Sequence, residues 1–165
     1  MALVSREWLE PAWAAAKAGE LPTWADFEWY AVDDAGSVGM FTSAGPGPIP
    51  RAVFRDLETH LAVAGFLDRL PVRGAPELLI HYPRVIDYTR AAERGLFAFD
   101  YVYASDWPAD DGYRLVAGPP TPLSLDALPS WVRDWLGGIL LPGAMFAESR
   151  ASVLDLSVLR LDLVV

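Results

Sequence analysis

The 165 residues are 53% hydrophobic, 12% aromatic and 21% charged, a balance too apolar for a disordered chain and too often interrupted by Gly and Pro for a membrane span. The formal charge of −9, from 22 acidic against 13 basic residues, disfavours nucleic acid as a partner and favours a basic protein. No cysteine is present, so disulfide and thiolate chemistry are excluded, and the composition fits a reducing compartment.

Met1 to Glu7 shows no basic stretch leading into an apolar core and a small-residue cleavage site, so a cytoplasmic protein without a membrane segment is expected. A helix is predicted from Ser5, with Glu7 and Glu10 near its opening turn and Gly19 at its end. Trp8, Leu9, Ala12, Trp13 and Ala16 make its apolar stripe, and Pro11 requires it either to begin there or to kink. Next come two aromatic, β-favouring segments, Phe27 to Val32 and Val38 to Thr42. Asp33-Asp34-Ala35-Gly36-Ser37 lies between them with a glycine for positive φ, the strongest hairpin signal in the chain. Residues 43–50, rich in Gly and Pro, form a loop that feeds a helix predicted from Arg51 to Leu70, with Val53, Leu57, His60, Leu61, Ala64 and Leu67 on one face.

Glu77 to Tyr82 reads equally as a short strand or a helical turn, cut by Pro83. Ile86 to Arg94 is predicted helical and closed by Gly95. Leu96 to Tyr103 and Tyr113 to Ala117 are predicted to pair as strands across a turn at 106–112. After Pro119, Pro120 and Pro122 comes a helix carrying Trp131, Val132, Trp135 and Leu136, and then two apolar segments, 139–146 and 153–165. The second of these fits a strand or a helix. Hairpins with separate helices, rather than regular βαβ alternation, predict one α+β domain over 1–165, a mainly antiparallel sheet built from hairpins with several helices packed on it.

Reactive constellations are sparse. The two histidines, His60 and His81, lie in different elements without ligand spacing, so no metal site is assigned, and no catalytic residue or cofactor either. Asp33 to Gly36 lacks the alternating acids of a calcium loop. His60 on its apolar stripe is expected to be a partly buried, hydrogen-bonded ring, with a general base as the alternative. The 44–48 loop precedes a helix, but Pro46, Pro48 and Pro50 remove the amides that a phosphate cradle needs. Seven Trp, six Tyr and seven Phe are the main anomaly. They belong either to the core or, if one sheet face is open, to an aromatic patch.

Glu28 to Asp33 through Gly36, Val38 to Gly45, Gly47 to Pro50, Arg94 to Asp100, and Tyr113 to Ala117 with Pro119 and Pro122 carry a likeness to known sequences. Over about 26–136 the chain resembles an uncharacterised family of small bacterial cytoplasmic proteins, which are in turn similar to immunity proteins that neutralise a partner toxin by binding it. The resemblance implies a binding module, and none of its motifs is tied to catalysis.

The expected function is therefore a non-enzymatic, acidic protein-binding domain, which the resemblance extends to an immunity-type inhibitor acting by occlusion. Its expected rim is Glu28, Asp33, Asp34, Asp100 and Asp106, with Trp29 and Tyr101 as anchors for a basic protein. The alternative is a small-molecule-binding or hydrolytic enzyme with a pocket made by His60, Arg51, Arg55 and the 44–50 loop.

Overall fold

Two antiparallel strand pairs lie side by side and share one parallel seam. In a computed structural model of the protein, residues 6–80, 85–102 and 111–165 are described. Strands β1 (Glu28–Val32) and β2 (Val38–Thr42) form the predicted hairpin, in register from Glu28–Thr42 to Val32–Val38. Its turn is closed by Asp33, whose Oδ1 accepts the amides of Ala35 and Ser37 at 3.0 and 2.8 Å, and by Gly36 at φ +77°.

A two-residue strand, β3 (Ile49–Pro50), follows the Gly/Pro loop. Beyond it the single helix expected over 51–70 is broken in two. Arg51–Arg55 is a 3₁₀ turn, and α2 is Leu57–Asp68. The break is at Asp56, which is extended at φ −154° and caps α2 by accepting the Thr59 amide at 2.7 Å. Earlier in the chain, α1 (Arg6–Ala18) runs through Pro11 and buries Ala12, Trp13 and Ala16.

The ambiguous stretch after residue 76 gives a short edge strand, β4 (Glu77–Leu78); His81 and Tyr82 lie outside the described residues. Helix α3 (Ile86–Glu93) leads to β5 (Phe97–Val102), which pairs antiparallel with β6 (Gly112–Gly118). The sheet order is β1-β2-β5-β6-β4, and β2–β5 is its parallel seam. Helix α4 (Ser130–Gly137) packs on β1. The last segment, read as strand or helix, is a 3₁₀ turn at Leu156–Leu159 followed by β7 (Leu163–Val164), paired with β3. The fold is thus α+β and mostly antiparallel, and most of its buried apolar side chains form one continuous cluster. Among the described residues no helix is long and apolar enough to cross a membrane.

Strand register sorts the sheet into two unlike faces, because opposed residues on neighbouring strands point the same way. One face carries Trp29, Phe41 and Phe99 in a stack, with ring centroids 4.3 and 4.7 Å apart. Tyr113 and Phe146 close it edge-on. The other face carries the row Glu28–Thr42–Asp100–Arg114, with Tyr30 and Met40 one step along.

Candidate functional site

The polar row brings several ionisable groups together: Glu28, Asp100 and Arg114, with Tyr30 beside them. Helix α3 lies over it and places the Tyr88 hydroxyl 2.8 Å from Thr42 Oγ1, which donates to Asp100 Oδ1 at 2.7 Å. Beside this chain, the Tyr30 hydroxyl donates to Glu28 Oε1. Burial raises the Glu28 pKa, the Tyr30 hydrogen bond works against that rise, and the nearby charges of Asp87 and Asp68 add to it. Burial likewise raises the pKa values of Tyr30 and Tyr88, so both phenols stay protonated as donors. The adjoining cleft, between α2, α3 and the sheet, measures only about 60 Å³. Small-molecule sites occupy roughly 300–1,000 Å³. The Tyr88–Thr42 bond in this row ties α3 to the sheet.

His60 is buried, and its ring lies 4.8 Å from the Trp13 ring and 6.1 Å from that of Tyr30. It bonds the Glu28 backbone carbonyl, while Nδ1 has no hydrogen-bond partner. Burial lowers its pKa to about 4, so the ring is neutral at physiological pH. Arg51 and Arg55 do not join it. They line a separate open groove with Lys17 and Asp162, so the expected pocket combining His60 with both arginines does not form. The physical reason is the break at Asp56, which separates the 3₁₀ turn bearing the arginines from the helix bearing His60.

The residues expected to make an acidic, aromatic rim are also dispersed. Trp29, expected as an exposed anchor, is fully buried, and its indole N–H points to the Tyr113 hydroxyl at 3.3 Å. Tyr101 is half-buried, with its ring 5.3 Å from that of Tyr113. Gly47 passes so close to Tyr101 that a methyl there would lie 2.7 Å from the ring. Asp33 is buried, and its second oxygen accepts the Phe146 amide at 2.8 Å. Asp34 is exposed and accepts the Gly143 amide at 2.8 Å. Glu28 and Asp100 share the polar row, at the opposite end of the hairpin from Asp33 and Asp34. Asp106 lies outside the described residues. The structure brings Glu28 together with Asp100, and Asp33 with Asp34, but builds no single rim from them.

Among the described residues, the two most exposed tryptophans lie elsewhere. Trp8 on α1 and Trp24 in the loop leading to β1 are 64% and 65% exposed. Their rings meet edge to face at 6.4 Å and 77°. Exposed acids flank both in sequence: Glu7 and Glu10 around Trp8, Glu20 and Asp26 around Trp24. The supporting loop is well held. Asp26 accepts the Ala44 amide at 2.9 Å, and Gly45, at φ +97°, lies directly against the Thr23 carbonyl. Helical geometry held a signal for Trp8. At about 100° per residue, the buried stripe centres between Ala12 and Trp13, and Trp8 falls roughly 90° to one side.

No known protein family, no curated protein and no solved structure matches the chain.

Proposed function

We propose that this protein is a non-enzymatic binding domain that docks a basic protein partner through the Trp8–Trp24 pair, in the manner of an immunity-type inhibitor. The exposed, edge-to-face pair is the observation that carries the reading. Two indoles at these exposures present about 260 Å² of aromatic surface, worth about 6 kcal/mol when covered, before the costs of association. Both side chains sit on fixed backbone, one on a helix and one on a loop bonded to its neighbour, so little entropy is lost on docking. The −9 charge steers a basic partner towards the molecule, and the flanking glutamates suit a cationic rim on that partner.

The enzyme alternative has less support. Its imidazole is interior and neutral, and its arginines face a different opening.

Affinity capture from the native host with the wild-type protein and with Trp8→Ala/Trp24→Ala tests the reading. The expected result is a basic protein retained by the wild type, lost by the double variant, and associating more slowly as salt rises. A basic protein held equally by both forms, or insensitive to salt, overturns it.

A further inference from the structure

The groove lined by Arg51 and Arg55 is rich in cations, whereas the chain as a whole carries −9. It is an open groove of about 540 Å³, and three of the chain's 13 basic residues line it: Lys17, Arg51 and Arg55. Asp162 is the one acidic residue in its lining. Ala52, Leu140 and Leu161 supply apolar wall, and Leu140 is 50% exposed. A cationic, partly greasy groove on a protein of charge −9 calls for an explanation beyond solubility.

Each cation is held differently. Arg55 lies 3.9 Å over the Trp135 ring and donates to the Trp135 carbonyl, so it is fixed in the wall. Lys17 Nζ donates to the Arg55 carbonyl at 3.2 Å, which uses one of its three protons. Arg51 lies beside Gly19, and its Nε sits 3.2 Å from both oxygens of Asp162. This pair is exposed on both sides, at 43% and 74%, and such a pair contributes little stability. Asp162 thus shows how a carboxylate seats on Arg51: the Arg51 amide donates to its backbone carbonyl at 2.8 Å, while its exposed carboxylate is weakly held.

We propose that this groove binds an organic monocarboxylate with an apolar tail. The carboxylate takes the Arg51 guanidinium in place of Asp162, with Lys17 beside it, and the tail lies along Leu140 and Leu161. A single negative charge fits better than several, because the net −9 opposes a polyanion at long range while three cations favour one carboxylate at contact. The site is independent of the Trp8–Trp24 reading, since neither tryptophan lines it.

Titration calorimetry with n-octanoate, alongside ¹⁵N amide shifts of Gly19, Leu140 and Leu161, tests the site. The expected dissociation constant is about 1 mM, from the efficiency typical of a ligand of this size. Arg51→Gln is expected to weaken binding about tenfold, and Asp162→Asn, which removes the internal competitor, to tighten it several-fold. 1-Octanol, with the same tail and no charge, is expected to leave the three amides unmoved. No binding of octanoate, equal binding of octanol, or an Asp162→Asn variant no tighter than wild type overturns the proposal. Should Arg51→Gln fail to fold, the Asp162→Asn result decides the question.

Discussion

Acidifying the protein from about pH 7.5 to pH 4.5 asks the buried His60 ring to take up a proton between Trp13 and Tyr30. Its native pKa is about 4, against 6.5 in an exposed chain, because burial disfavours the imidazolium. Above pH 6.5 the ring is neutral in both native and unfolded states, and its contribution is constant. Below that value the unfolded chain binds the proton and the native protein does not, so stability falls as pH falls and levels off near pH 4. At pH 4.5 the loss from this one residue comes to about 2.5 kcal/mol. Glu28 acts in the opposite direction, since burial raises its pKa, and Asp68 and Asp87 face it. His60→Gln keeps an amide donor for the Glu28 carbonyl and leaves those carboxylates in place. Urea unfolding of both proteins at the two pH values therefore isolates the histidine: wild type is expected to lose about 2.5 kcal/mol more than the variant. An imidazole carbon resonance that titrates near 6.5, or a double difference under about 0.5 kcal/mol, refutes the reasoning and returns His60 to the list of potential bases.

Trp8→Ala and Trp24→Ala are each expected to change unfolding free energy by less than about 1 kcal/mol, whereas Trp29→Ala in the stacked face costs about 3–5 kcal/mol; thermal denaturation separates the two outcomes. Glu28→Gln removes a carboxylate whose ionised form burial penalises. The variant is expected to be more stable than wild type at pH 8, with the advantage shrinking on acidification, as chemical denaturation at pH 8 and 5 will report. Gly45→Ala places a methyl against the Thr23 carbonyl at a positive φ, and is expected to cost about 1–3 kcal/mol and loosen the loop under Trp24, read as faster amide exchange at residues 43–47.

Local chemistry made much of the fold readable. The β1–β2 hairpin announced itself through Asp33 and Gly36, and both side-chain acceptance by Asp33 and positive φ at Gly36 are present. The β5–β6 pair and α1, α3 and α4 followed from composition and spacing. The parallel β2–β5 seam did not, because it joins Gly39–Thr42 to Phe97–Asp100 across more than fifty residues, and no local pattern encodes so distant a register. The break at Asp56 was readable in principle, since Asp is a favoured N-cap residue and Glu58 lies in the first turn after it, but the apolar stripe runs through it in phase. The candidate surface was misplaced for a similar reason. Alternation along β1 separates Trp29 from Tyr30 without telling which face is covered, and here both are: α2 and α3 cover Tyr30, and the aromatic stack encloses Trp29. Exposure fell instead to Trp131 on α4 and, more fully, to Trp8 and Trp24, whose meeting depends on where α1 docks.

Charge and aromatic surface contribute to docking over different ranges, and this makes the proposed binding mode separable by kinetics. Before contact, out to about the Debye length of 8 Å at physiological salt, a basic partner responds mainly to charge, and farther out the field is screened. The −9 of this chain therefore governs how often a basic protein arrives. Within contact distance the two indoles govern how long it stays, because covering them is an apolar gain that screening hardly alters. Raising salt should accordingly slow association and leave dissociation nearly unchanged, while Trp8→Ala/Trp24→Ala should speed dissociation and leave association nearly unchanged. A stopped-flow or surface-binding measurement on any captured basic partner reads both rates at once. If the tryptophan substitutions slowed association without touching dissociation, the pair would be a structural element of the loop rather than the docking contact.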